Sequence, residues 1–193
     1  MKKKLKKELI QWAAIGGVFL FLFLSGLHTE IFGFLQRGIL ATGIMNPSIE
    51  EKIQPKNPQA NLNFALFNSN GKKVNLQQFE GKVIFLNIWA TWCAPCVAEM
   101  PGINNLYNDI NDENIEFVML SVDEQFEKAI AFKNRKNFDF EVYRPAGNFP
   151  EMYQTSTIPT TYIIDPEGNL VLEHKGMANY HSDEFKNFLR KLM

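Results

Sequence analysis

The longest uninterrupted apolar stretch lies near the start of the chain. Residues 10–27 (IQWAAIGGVFLFLFLSGL) hold only Gln11 and Ser25 as polar positions and carry no charge. As a helix this segment would span roughly 27 Å at ~1.5 Å per residue, close to the ~30 Å hydrocarbon core of a bilayer. The pattern then changes. Across residues 28–45, Ile31, Leu35 and Ile39 recur at helical spacing, with Glu30, Gln36 and Arg37 among them. That suits an amphipathic helix resting on a membrane surface or one packed on a folded domain, although Gly33, Gly38 and Gly43 weaken a helix. Residues 46–60 (NPSIEEKIQPKNPQA) carry three Pro and mixed charge, the composition of a stiff, solvated linker.

From residue 61 the repeats shorten. Residues 62–68 alternate apolar and polar, the turn Asn68-Ser69-Asn70-Gly71 follows, and residues 73–76 pair back, which predicts a hairpin. Residues 83–89 (VIFLNIW) form a nearly continuous apolar run of strand length, as expected of a central strand covered on both faces. A helix is predicted from Cys93 to about Ile110, a second buried strand over 115–122, and a helix over 124–136. A short strand over 140–143 and a short helix over 147–154 follow. Residues 160–164 and 170–174 form strands flanking a turn at 166–169. Residues 183–192 close the chain as a helix with Phe185, Phe188, Leu189 and Leu192 on one side. The order is ββ, then βαβαβ, then ββα. Strands and helices alternate in the middle, so the class is α/β with a mostly parallel centre, an antiparallel trailing hairpin and an N-terminal β-hairpin extension.

Charge sharpens the division into segments. Residues 1–8 hold five Lys against one Glu, a balance of +4, directly before the apolar run. The positive-inside rule therefore keeps residues 1–9 cytoplasmic, makes residues 10–27 a transmembrane anchor and exports the rest, into the periplasm of a Gram-negative cell. Trp12 falls near one interface, where aromatic residues gather. A cleaved signal peptide is the competing reading, but the apolar run is long for one and no A-x-A site follows Leu27. Residues 28–60 are then a juxtamembrane segment and linker, and 61–193 the domain. Residues 58–193 hold 12 Lys+Arg against 17 Asp+Glu, a balance of -5. A basic patch is missing, so no nucleic-acid partner is expected.

The chain has two Cys, both in Trp92-Cys93-Ala94-Pro95-Cys96. This excludes a multiply stapled scaffold. His28, His174 and His181 lie at no zinc-like spacing from the pair, and Val97 stands where a c-type haem site needs His, so no metal or cofactor is expected. The pair sits between a buried strand and a helix. Backbone N–H groups of a first helical turn favour a negative sulfur. Cys93 is thus the candidate nucleophile, and Cys96, deeper along the helix, would resolve the mixed disulfide; together they can close a redox-active disulfide. Pro95 falls in the first turn, where its missing N–H is no loss.

The run from Asn87 to Cys96 (NIWATWCAPC), followed by Glu99-Met100-Pro101, resembles the TlpA/ResA-like membrane-anchored thioredoxins. The likeness covers roughly residue 61 to the C-terminus. It takes in Leu76 and Phe79-Glu80-Gly81-Lys82, the strand end Ser121-Val122-Asp123, and Ile158-Pro159 with the following Thr160–Ile164, Asp165 and Gly168. The resemblance implies a thioredoxin-like fold and an exported thiol–disulfide oxidoreductase, a reductase of protein disulfides fed by a membrane or periplasmic electron donor. It implies that Ile158-Pro159 is a cis-proline beside the Cys pair and that the Ile158 backbone pairs with an incoming peptide as an added strand would. It further implies that Glu99 tunes the two Cys, and that Asn87 stands where thioredoxins proper carry a buried Asp. A carboxyl near a buried thiol can exchange its proton; otherwise Glu99 is a solvated helix residue. Pro101 matches a helix-kinking proline. Trp92 is a candidate for covering Cys93 and shaping the docking surface, whereas Trp89 belongs to the core. Rival readings are a disulfide-inserting oxidase, a copper-binding chaperone using the Cys pair, and a peroxidase, whose Cys lies in a different motif.

Overall fold

The computed structural model describes residues 2–24, 33, 36, 38, 40, 47, 58–110 and 112–193. The domain is built on a seven-stranded sheet of order β2-β1-β5-β4-β3-β6-β7. Its strands are β1 (Ala65–Asn68), β2 (Lys73–Asn75), β3 (Val83–Trp89), β4 (Ile115–Ser121), β5 (Val142–Pro145), β6 (Thr160–Ile164) and β7 (Leu170–Lys175). Its helices include α1 (Lys2–Leu24), α2 (Ala94–Ile110), α3 (Phe126–Lys136) and α4 (Asp183–Leu192). β3, β4 and β5 run parallel, while β6 and β7 and the β1–β2 hairpin pair antiparallel. This is the thioredoxin-like arrangement, with the hairpin added at the β5 edge.

β3 explains the layering. All seven of its residues are buried. Because side chains alternate across a strand, Val83, Phe85 and Trp89 face one core, under α2, α3 and α4, with Ile103, Phe132 and Phe185. Ile84, Leu86 and Ile88 face the other, with Phe64, Leu76, Tyr153 and Tyr162. Asn87 shares parity with Phe85 and Trp89, so a polar group lies on the helix side. Burying a polar group without partners is costly, which makes Asn87 the strand's one conspicuous departure from apolarity.

Three expectations shift. The strand expected over 140–143 forms at Val142–Pro145, because Val142 and Tyr143 pair with Met119 and Leu120 on one side while Arg144 and Pro145 pair with Phe67 and Leu66 on the other. Phe140 packs into the core just before it. The helix expected over 147–154 is only a 3-10 turn at Glu151–Tyr153. Pro150 disfavours a helical residue before it, so no helix can extend back toward Gly147. Residues 58–60, which the linker reading includes, pair with the β6–β7 turn: Gln59 bridges Asn169, and the Ala60 N–H donates to the Gly168 carbonyl at 2.8 Å.

At the N-terminus α1 exposes Ile10, Trp12, Ile15, Val18, Leu20 and Phe21. Among the described residues no helix is long and apolar enough to cross a membrane. The charged start of α1 uses its first turns, and the apolar part from Ile10 to Leu24 spans about 22 Å. Residues 25–27 of the expected span, the 28–45 pattern of Ile31, Leu35 and Ile39, and the linker before residue 58 lie outside the described residues, apart from Gly33, Gln36, Gly38, Leu40 and Pro47. Of these, Gly33 lies against α2, where a Cβ would come 3.2 Å from Val97 Cγ1. Leu40 is buried with Ala98 and Met177.

Candidate active site

The site forms where β3 ends. Trp89 accepts a hydrogen bond from the Val122 N–H at 2.9 Å, keeping β3 and β4 together to their C-terminal ends. Asp123, just past β4, then holds the next loop. Its carboxylate accepts from the Thr91 N–H at 3.0 Å, from the Thr91 hydroxyl at 2.6 Å and from the Ser121 hydroxyl at 2.8 Å. Charge-assisted bonds of this kind are the stronger ones. They fix the backbone two residues before Cys93.

Cys93 is the residue immediately before α2, and its carbonyl accepts from the Val97 N–H at 3.0 Å. It therefore occupies the N-cap position. Its Sγ accepts from the Cys96 N–H at 3.2 Å, the geometry in which capping oxygens normally satisfy the third helical residue. The helix start thus directs an orphan donor and its positive end at this sulfur. Cys93 and Cys96 are joined as a disulfide. Cys96 is fully buried; Cys93 is 6% exposed, so Cys93 is the sulfur at the surface side. Trp92, directly before it, is 60% exposed. The Ile158–Pro159 bond is cis, and the Ile158 carbonyl lies 3.7 Å from Cys93 Sγ. A disulfide sulfur has no proton to donate, so this is close approach; the reduced thiol would have an acceptor there.

Glu99 lies on the opposite, sealed side. It is 1% exposed, which excludes the solvated reading. Asn87 Nδ2 donates to its Oε1 at 2.9 Å, and the Ala178 N–H donates to its Oε2 at 3.1 Å. Asn87 Nδ2 also donates to Thr161 Oγ1 at 2.9 Å, which accepts from the Tyr180 hydroxyl at 2.8 Å. Burial pushes the Glu99 carboxyl up to about 8; the two hydrogen bonds pull the other way and do not offset it. Tyr180 is likewise pushed up by burial and by its proximity to Glu99. Pro101 lies inside α2 and leaves the Val97 carbonyl without its helical donor.

The AhpC/TSA family model matches residues 57–172. The thiol-disulfide oxidoreductase ResA of Bacillus thuringiensis subsp. konkukian is 34% identical over 134 residues, covering 67% of this chain and 75% of the relative. The chain belongs to the AhpC/TSA family, among its ResA-like thiol–disulfide oxidoreductases. ResA of Bacillus subtilis is 36% identical over 110 residues, covering 56% of this chain and 62% of the relative. A crystal structure of a thiol:disulfide interchange protein DsbE from Chlorobium tepidum superposes with a TM-score of 0.58 at 28% identity, covering 71% of this chain and 94% of that one.

Within this AhpC/TSA member the structure brings Cys93, Cys96, Ile158 and Pro159 together and sets Trp92 beside them. Glu99 it turns toward Asn87 and Ala178, with no hydrogen bond to either sulfur. Sequence reasoning missed Thr161, Tyr180 and the loop-holding role of Asp123. Thr161 and Asp123 stand in the strings that carry the resemblance, which is the one signal that points to them. Among the described residues no cluster of three or more His, Cys, Asp or Glu is placed to hold a metal ion. His181 instead pairs with Asp109 at 2.9 Å.

Proposed function

We infer that this chain is an exported reductase of protein disulfides, tethered by its N-terminal helix. The observation that carries the exchange chemistry is Cys93 at the N-cap of α2, its sulfur receiving the Cys96 N–H and facing the Ile158 carbonyl. In the reduced enzyme the Cys93 thiolate attacks one sulfur of a substrate disulfide. That S–S bond breaks, the other substrate sulfur leaves as a thiolate, and a mixed disulfide forms. The Cys96 thiolate then attacks Cys93 Sγ and releases the second substrate thiol. Two electrons pass to the substrate, leaving Cys93 and Cys96 joined as seen here. A membrane or periplasmic dithiol donor must reduce the pair again.

The exposed apolar residues of α1 behind its Lys cluster support the tether, with the N-terminus cytoplasmic and the domain outside. A membrane-impermeant protease added to spheroplasts should digest the domain; protection would defeat the topology.

For the chemistry, Cys93→Ser should abolish exchange, while Cys96→Ala should keep the first attack and accumulate mixed disulfide with its substrates, identifying them. Accumulation with Cys93→Ser instead would reverse the roles. A redox titration decides direction: a potential near about −120 mV would favour disulfide insertion, and a value well below it reduction.

A further inference from the structure

Leu40 belongs to the stretch between α1 and the domain, yet it is buried against Ala98 of α2 and Met177 after β7. Gly33 lies flat on the first turns of the same helix. A Cβ there would come 3.2 Å from Val97 Cγ1, 3.4 Å from the Ala94 carbonyl oxygen and 3.5 Å from the Ala98 nitrogen. Two of those neighbours are backbone and cannot give way, so a longer side chain has no room. Gly33, Gln36, Gly38 and Leu40 are all helical. Gly33, Gln36 and Leu40 stand at i, i+3 and i+7, one face of a helix, and these are the three that are buried or half-buried. Gly38 falls off that face and is exposed, with nothing within 4 Å of its Cβ position. One helical face therefore docks on α2.

Beneath it is a cavity of about 290 Å³ lined by Leu40, Ala98, Glu99, Pro101, Ala178 and His181. Glu99 lines this space yet is 1% exposed with Leu40 in place. The other groups around its carboxyl are the buried Asn87, Thr161 and Tyr180 and, one turn back, the Cys pair. His181 is held by Asp109, which also pairs with Lys186 at 2.7 Å. Of the lining residues, Leu40 alone comes from outside the domain, so it alone can leave without disturbing the sheet or its helices. Gln36 Oε1 is buried with no hydrogen-bond partner. An unpaired buried acceptor is a cost of the docked position, which water would relieve if the face lifted.

We propose that Gly33, Gln36 and Leu40 form a removable cover, and that lifting it lets water through the cavity to Glu99, so that the chain leading to the tether sets whether this carboxyl stays dry. Once water reaches it, the ionised form is less disfavoured, and a negative charge can form one turn from Cys96. The cover stands on packing alone; its effect on disulfide exchange rests on the reading proposed above.

The full chain in detergent tests this through the infrared band of the protonated Glu99 carboxyl, identified by its loss in Glu99→Gln. In wild type the band should fade with a midpoint at about 8. Gly33→Leu and Gly38→Leu place the same side chain on the docked and the free face, and Leu40→Ala removes the roof. All three positions lie outside the sheet, and a cooperative melt checks that the domain is intact. Gly33→Leu and Leu40→Ala should each lower the midpoint by about one pH unit or more, as hydration of a buried carboxyl does. Gly38→Leu should leave it in place. A midpoint left in place by either docked-face variant, or moved as far by Gly38→Leu, overturns the cover. Cys93-dependent reduction of a small disulfide, followed at the same pH values, tests the exchange reading separately. If it is absent while the midpoint moves, the exchange reading fails and the cover stands.

Discussion

The two sides of the Cys pair are built on opposite principles. On the Cys93 side the surface is open: Trp92 is mostly exposed, Ile158 is half-buried, and a cavity lies alongside. On the Glu99 side Asn87, Glu99, Thr161 and Tyr180 are all sealed from solvent and hydrogen-bonded to one another. A single turn of α2 separates the exposed surroundings of Cys93 from the buried carboxyl of Glu99. The difference teaches what each can control. Open residues choose substrates, because they gain or lose area on docking. The sealed cluster controls charge, because in a dry site a carboxyl prefers its proton. With its pKa near 8, Glu99 is mostly neutral at pH 7, so its own carboxyl sets no negative charge against a thiolate one turn away.

The sharpest way to break this comparison is to remove the titration from the sealed side. Glu99 holds its proton up to about 8 when folded, against an ordinary 4.5. Between those values the folded state binds more protons than the unfolded state. Stability must therefore fall as pH rises through the window, by up to about 1.4 kcal/mol per pH unit. Glu99→Gln keeps the shape and cannot titrate. Its urea-unfolding free energy should match wild type below the ordinary carboxyl pKa, near about pH 4, and exceed it progressively toward pH 8, by a few kcal/mol. Exchange rates of the two proteins should part above about pH 8, where only wild type gains the buried charge. Parallel stability curves would mean that Glu99 is not proton-bearing in the fold.

A smaller effect is expected at the loop that joins the two sides. Asp123→Ala strands the Thr91 N–H and the Thr91 and Ser121 hydroxyls, which now bond to its carboxylate. Losing a bond to a charged group costs about 1.5–3 kcal/mol, and partial rehydration should keep the total near the upper figure. Since the loop sets Cys93, rates on a protein disulfide and on a small disulfide should fall together. A loss confined to the protein substrate would make Asp123 a docking residue instead.

The open side was far more legible in the sequence than the sealed one, for a physical reason. β3 announces itself as seven consecutive residues, and the Cys pair, Pro95 and the helix start lie within a few positions of one another. α4 is equally local: Ser182 caps it by accepting from the Phe185 N–H, and its apolar residues recur at helical spacing. The Glu99 cluster instead joins residues 87, 99, 161, 178 and 180, so no local pattern encodes it. Glu99 is singled out by the resemblance alone, and its burial shows only once Asn87 and Ala178 are placed over it. The Phe149–Tyr153 segment fails for a related reason: its rings serve the core beneath them, and Pro150 bars the helix that their spacing suggests. β5 slid two residues because its partners in β1 and β4, not its own apolarity, set its register. The apolar run at the N-terminus was legible as a need for cover, and α1 still exposes that need.

The smallest effect should come from Trp92, and it tests whether the open side acts through contact alone. With 60% of its surface exposed, the ring supports little of the core. Trp92→Ala should therefore leave stability within about 0.5 kcal/mol of wild type. A docking protein would cover the ring, and indole contacts are among the more valuable at interfaces. Only part of that area gain survives, because the partner must order side chains against it. The expected loss is therefore modest, a drop of roughly three- to tenfold in kcat/KM for a protein disulfide. A small disulfide has too little surface to cover the ring, so its rate should hardly change. The comparison is direct: kcat/KM on oxidised insulin against hydroxyethyl disulfide, for wild type and Trp92→Ala. If both substrates slow equally, the ring acts on the sulfur itself by shielding it from water, and the open side would then share the electrostatic work that the sealed cluster performs.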